Sequence, residues 1–159
     1  MEAITLGSMH PITPMPAPQI TDIDHIGIRV SDRDIAKAFY EALGFVETAY
    51  FRDGQANEMV NASGLRINLI LNGAKQPQRH NILLDAPVKY CGYTHAAFVV
   101  PSLSTLQQWL AQHGIAITEG PVRYGQRRIT LFIRDPDGNV LEFNELLNPT
   151  DQENPHETV

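Results

Sequence analysis

The sequence predicts an α+β fold built from two βαβββ modules, whose curled mixed sheets form a shared cleft. Three observations lead there. His25-Ile26-Gly27-Ile28-Arg29-Val30 recurs seventy residues later as His95-Ala96-Ala97-Phe98-Val99-Val100. The same offset carries Phe39 onto Trp109 and Gly44 onto Gly114. Later the offset becomes 74, carrying Gly64 onto Gly138, Ile67 onto Leu141 and Asn68 onto Glu142, so the second half holds a four-residue insertion.

The first strand is expected near 23–30, where Ile26, Ile28 and Val30 alternate with His25, Gly27 and Arg29. Ser31 or Asp32 can cap the following helix, in which Ile35, Ala38, Phe39, Ala42 and Leu43 have helical spacing. Gly44 is its stop. Strands near 45–51, 57–62 and 65–71 follow, separated by Asp53-Gly54 and Ser63-Gly64 turns. The second half repeats this order. A strand near 93–100 precedes a helix near 102–113 carrying Leu103, Leu106, Trp109 and Leu110 on one face, with Gly114 as its stop. Strands near 115–119, 126–133 and 139–145 complete it. Asp135-Pro136-Asp137-Gly138 joins the last two, because proline presets φ and glycine permits φ above zero.

These limits give a domain over 20–147, with modules at about 20–72 and 92–147 joined by a flap over 73–91. Residues 1–19 hold four prolines and three methionines without periodicity and read as a flexible arm; 148–159 read as a polar tail. One module alone leaves a sheet face and a sheet edge uncovered, and pairing two modules buries both.

Composition narrows the function. A net charge of −6 argues against nonspecific binding to nucleic acid or anionic membranes. The single cysteine, Cys91, excludes an intrachain disulfide and fits a reducing compartment. No apolar stretch approaches the ~20 residues of a bilayer span. The N-terminus lacks the charged and apolar regions of a signal peptide, so a cytoplasmic location is expected. There is no glycine-rich phosphate loop, paired-cysteine zinc motif or serine nucleophile elbow. Phe39, Phe45 and Trp109 read as core residues, and Cys91 as a small buried one.

The repeat makes His25, His95, Asn68 and Glu142 four symmetry-related positions, three of which are good metal ligands. Two imidazoles and one carboxylate on one side of a divalent ion leave positions open for water, substrate or oxygen. Arg128 and Thr130 share the parity of Phe132 on the seventh strand and are further cleft candidates. Arg123 and Tyr124 read as a loop able to close over a ligand. His80, on the flap, reads as a solvated loop histidine.

Four segments carry a family resemblance: Asp24-His25-Ile26-Gly27-Ile28-Arg29-Val30, Phe39-Tyr40-Glu41-Ala42-Leu43-Gly44-Phe45, Tyr93-Thr94-His95-Ala96-Ala97-Phe98 and Asp135-Pro136-Asp137-Gly138-Asn139-Val140-Leu141-Glu142-Phe143. Over about 20–147 the chain resembles the vicinal oxygen chelate superfamily, which includes glyoxalase I, extradiol dioxygenases, fosfomycin-resistance transferases and bleomycin-resistance proteins. The resemblance implies metal ligands at His25, His95 and Glu142, with Asn68 at the fourth ligand position. It also implies substrate contacts at Arg29 and Asn72, where glyoxalase I binds glutathione. Arginine suits a substrate carboxylate because its planar fork binds both oxygens.

Asn68 stands where glyoxalase I carries a glutamate, and it cannot take up a proton as a carboxylate does. Phe132 stands where the extradiol and fosfomycin families carry a tyrosine, and it cannot hydrogen-bond substrate. The expectation is one divalent ion (Fe2+, Mn2+, Ni2+ or Zn2+) held by His25, His95 and Glu142 in a homodimeric metal-dependent enzyme. Its substrate is expected to be a small oxygenated molecule bearing a carboxylate, contacted by Arg29, Asn68, Asn72, Arg128, Thr130 and Phe132. Glu142 is also the candidate proton relay. The alternative is a binding protein of the bleomycin-resistance type, which sequesters its ligand without turnover.

Overall fold

In the computed structural model, which describes residues 19–147, each half is a four-stranded sheet with one helix. The expected arm and tail fall, apart from Gln19, outside the described residues. The first module runs β1 (Ile26–Arg29), α1 (Arg33–Ala42), β2 (Phe45–Phe51), β3 (Ala56–Asn61) and β4 (Arg66–Ile70). The second runs β5 (His95–Val99), α2 (Leu103–Gln112), β6 (Ile117–Tyr124), β7 (Arg128–Arg134) and β8 (Val140–Leu146). The sheet orders are β1-β4-β3-β2 and β5-β8-β7-β6. β1 lies parallel to β4 and β5 parallel to β8, the other pairs being antiparallel. The sheets are therefore mixed and the repeat is preserved in topology.

Strand alternation divides each sheet into two faces. Ile28, Ile67, Leu69 and Met59 are buried in the first module, and Phe98, Leu141, Phe143, Leu131 and Ile133 in the second. They form one core with Leu103 and Leu110 of α2 and Ala36 and Tyr40 of α1. The rings of Phe45 and Phe98 meet at 6.4 Å, joining the modules. Residues of opposite parity, Gly27, Arg29 and Asn68 in one sheet and His95, Ala97 and Glu142 in the other, occupy the face away from that core.

The turn between β7 and β8 ties the modules together. The buried Asp135 carboxylate accepts the backbone N–H groups of Asp137 (2.9 Å) and Asn139 (2.8 Å), the Asn139 amide (2.8 Å) and the Tyr40 hydroxyl from α1 (3.0 Å). Asp137 in turn accepts from the Ser31 backbone N–H (3.0 Å) and hydroxyl (2.5 Å), while Asn139 donates to the Arg29 carbonyl (3.0 Å). The end of β1 is thus fixed against the second module. Gly138, at φ +88°, leaves no room for a Cβ against the Arg79 carbonyl, so flap and turn pack backbone to backbone.

Four expectations need correction. Ile35 and Ala38 are exposed, and α1 instead buries Ala36 and Tyr40, because the Tyr40 hydroxyl finds its partner in Asp135. Trp109 is 48% exposed rather than core; its indole lies beside His113 and donates to the Ala42 carbonyl at 2.6 Å. β6 extends through Gly120-Pro121 to Tyr124, so Arg123 and Tyr124 belong to a strand and not a loop. Proline is tolerated because β6 is an edge strand whose pairing with β7 shifts register on either side of Glu119. Cys91 is exposed. Among the described residues no helix is long and apolar enough to cross a membrane.

Candidate metal centre

Glu142 sits on β8 between Ala97 of β5 and Phe132 of β7, and only 5% of it is exposed. A carboxylate this deep needs partners. His95, at the start of β5 on the same face, provides one: its Nε2 lies 2.8 Å from Glu142 Oε2. Thr94 Oγ1 lies 2.9 Å from His95 Nδ1. Without an ion, Nε2–H donates to that carboxylate; with an ion bound, Thr94 would accept the Nδ1 proton and an unprotonated Nε2 would ligate, the tautomer that a metal histidine requires. The Phe132 ring stands edge-on to the imidazole at 6.0 Å and fixes its plane. Arg128 Nε lies 3.8 Å from the other carboxylate oxygen, beyond hydrogen-bond reach, and is buried without a partner among the described residues. Its guanidinium lies over the Tyr124 ring, 5.7 Å from the centroid.

His25 carries the corresponding imidazole in the first module. Its Nδ1 bonds Asp24 Oδ2 at 2.7 Å, and that bond holds the Asp24 carboxyl below the usual carboxylate range. A carboxylate on Nδ1 orients the ring and leaves Nε2 as the ligand atom. This support by Asp24, missed in the sequence reading, was signalled by the adjacent Asp24-His25 pair.

His25 and His95 both open on a cavity of about 950 Å³ between the modules, walled also by Arg29, His80, Asn81 and Tyr93. That volume suits a small-molecule ligand. Glu142 does not line it. Among the described residues, no group of three or more histidine, cysteine, aspartate or glutamate side chains is placed to hold an ion. Two of the three expected ligands therefore converge within one chain, and the third does not join them. The 2.8 Å between Nε2 and Oε2 suits neighbouring ligand atoms that each lie ~2.1 Å from one shared ion. The donor pair fits a divalent metal and is incomplete.

The remaining candidates separate clearly. Arg29 is exposed on the cavity wall. Asn68, between Gly27 and Glu58 in register, keeps a buried Oδ1 with no partner among the described residues. Arg128 and Phe132 surround the His95–Glu142 pair. Thr130 is fully buried and its hydroxyl donates to Asn144 Oδ1 at 2.6 Å, so it braces the sheet and has no proton left to donate to substrate. Asn72 is exposed beyond the end of β4 and does not line the cavity. The flap is pinned to the second module by the two-pronged Arg134–Asp85 ion pair and by Asn81 donating to the Gly138 carbonyl.

Known proteins resemble the chain in sequence and in fold. Glyoxalase domain-containing protein RDO1 of Mycosarcoma maydis is 30% identical over 129 residues, covering 79% of this chain and 68% of that protein. Virulence protein STM3117 from Salmonella typhimurium is 30% identical, with a TM-score of 0.57 over 79% of this chain and 96% of its own. The fosfomycin resistance protein FosX from Listeria monocytogenes, at 18% identity, shares the fold with a TM-score of 0.62 over 80% of this chain and 93% of its own. Residues 22–143, spanning both modules and all three expected ligands, match the family description itself. The chain belongs to the Glyoxalase/Bleomycin resistance protein/Dioxygenase superfamily.

Proposed function

We propose that the protein is a divalent-metal-dependent enzyme whose site is completed between two copies of the chain. The observation that carries this reading is the donor pair of half-exposed His95 and buried Glu142, which among the described residues lacks a third ligand. His25 of one copy joins His95 and Glu142 of the other. Among the described residues β1 and β5, which lead from the two histidines, are the outermost strands of their sheets, each with one unpaired edge. A twofold pairing covers both edges and sets the polar face of a first module against that of a second.

A bound ion supplies Lewis acidity toward adjacent substrate oxygens. The chain's own residues do the rest. Arg128, with its unsatisfied Nε and its plane over Tyr124, anchors a substrate carboxylate beside the ion. Phe132 gives an apolar wall and excludes water from that side of His95. Asn68 offers its unpartnered carbonyl oxygen to a substrate hydroxyl. The substrate is a small oxygenated acid.

Ion content of protein purified without chelator tests the reading. One tightly held Mn2+, Fe2+, Ni2+ or Zn2+ per chain is expected. Metal-free protein that also fails to take up any of these ions while binding small acids unchanged would instead support sequestration without turnover.

A further inference from the structure

We infer that the substrate carries a positively charged amine as well as its carboxylate, and that Glu119 is the residue that selects for it. The inference rests on the small-acid reading proposed above and narrows the substrate to an oxygenated acid with an amine at its far end.

The sheet of the second module places Glu119 on the floor of the site. Glu119 of β6 stands opposite Phe132 of β7, and Phe132 stands opposite Glu142 of β8. Residues opposite one another in antiparallel strands share a face, so the three form one row on the polar side of the sheet. Two strand spacings, about 10 Å, separate Glu119 from Glu142 along that row. β6 gains one residue over β7 between Ile117 and Glu119, and another between Glu119 and Val122. Bulges of this kind re-aim side chains. Here they bring both Glu119 and its neighbour Thr118 to a hollow of about 220 Å³, walled also by His95, Phe132 and Leu84 of the flap. Glu119 therefore shares a hollow with the histidine of the donor pair.

The charge in this hollow is one-sided. Arg134 lines it, but both of its Nη atoms donate to Asp85. The Thr118 hydroxyl donates to the Phe132 carbonyl at 3.1 Å, so its oxygen has only lone pairs to offer a ligand. Among the described residues no hydrogen bond or ion pair holds the Glu119 carboxylate. An uncompensated carboxylate and an acceptor oxygen, set beside the apolar Phe132 and Leu84 side chains, suit an ammonium group on a short carbon chain. The same charge repels a second carboxylate. Arg128 lies earlier on the polar face of β7, with its Nε unpartnered among the described residues. The face thus offers a guanidinium for the substrate carboxylate and, across Phe132, a carboxylate for the amine. Glu119 acts on binding and orientation, and no bond is made or broken there.

Equilibrium dialysis of Mn2+-loaded and metal-free protein against two ligand series tests this. One series is 3-hydroxy acids of increasing chain length that end in an ammonium group; the other has a methyl group in its place. Wild type is expected to prefer the amine by about 5-fold at the best length, the upper range for an ion pair open to water. That preference should fade as salt is raised. Glu119→Gln should bind the two series alike, with wild-type affinity for the methyl acids and wild-type Mn2+ content, and Glu119→Lys should reverse the order. No preference in wild type at any length, a preference that survives in Glu119→Gln, or an equal loss of both series in Glu119→Gln would overturn the assignment. Wild type that holds no Mn2+ yet prefers the amines removes the metal reading and supports Glu119's role; protein that binds neither series overturns both.

Discussion

Glu142→Ala is expected to abolish retention of a divalent ion while leaving the chain folded. Glu142 supplies one of the two donors that converge within a chain, and His95 alone is a monodentate site exposed to water. Loss even of a residue supporting a metal ligand costs about 10–100-fold in affinity, so loss of the carboxylate ligand itself should reach at least the upper end of that range. The fold does not depend on the charge. Glu142 lies away from the apolar core, between Ala97 and Phe132, and burying its ionised carboxylate offsets much of what His95 and Arg128 return. Glu142→Gln preserves the shape and one coordinating oxygen but removes the charge, and should also lose the ion. Titration of metal-free protein with Mn2+, followed by thermal melts of the same samples, checks both parts. A cooperative melt near that of metal-free wild type is expected from each variant, and only wild type should gain stability from the ion.

Asp135→Ala should be the most damaging single change to stability. It removes a carboxylate with four donors and leaves the Tyr40 hydroxyl, on the buried face of α1, without an acceptor. One orphaned buried donor costs about 1–3 kcal/mol, and the turn loses its organising acceptor as well, so a loss of roughly 3–5 kcal/mol is expected. The Ser31–Asp137 and Arg29–Asn139 bonds depend on that turn, so β1 and its histidine should also lose their fixed place against the second module. Burial pushes the Asp135 carboxyl above its usual range, with its hydrogen bonds pulling the other way. The sign follows. A carboxyl with a raised folded pKa contributes stability that is fully present below its unfolded value of 3.8 and is lost as pH rises through the folded value. The difference between wild type and Asp135→Ala should therefore be largest below the ordinary carboxylate range and shrink as pH rises above it. Urea unfolding of both proteins at a series of pH values measures this directly. A difference that grows with pH would reverse the assigned sign.

Much of this was legible in the sequence because the chain states it twice. The offsets of 70 and 74 place β1 on β5 and β4 on β8, and alternation then puts His95 and Glu142 on one face, as found. The Asp135-Pro136-Asp137-Gly138 turn was equally clear, since its residue types have few other conformations. Three things were hidden, each for a physical reason. The buried stripe of α1 turns on Tyr40, whose burial depends on a partner 95 residues away that no local periodicity reveals. β6 runs through Gly120-Pro121, which reads as a break because sequence does not say which strand lies at an edge. The proposed pairing of modules between copies lay beyond both periodicity and motif: it depends on which polar face meets which, and each chain has two.

The composite site makes one prediction that no intrachain site shares. His25→Ala and His95→Ala proteins, each unable to hold a divalent ion, are unfolded, mixed in equal amounts and refolded together, and bound Mn2+ is then counted. Half of the dimers should be mixed, and each mixed dimer holds one intact site, formed by His25 from one variant with His95 and Glu142 from the other. The mixture should therefore recover about a quarter of the wild-type ion content. Recovery of none, with mixed dimers present by native mass spectrometry and with wild type refolded alongside regaining its ion, would contradict a site shared between two copies.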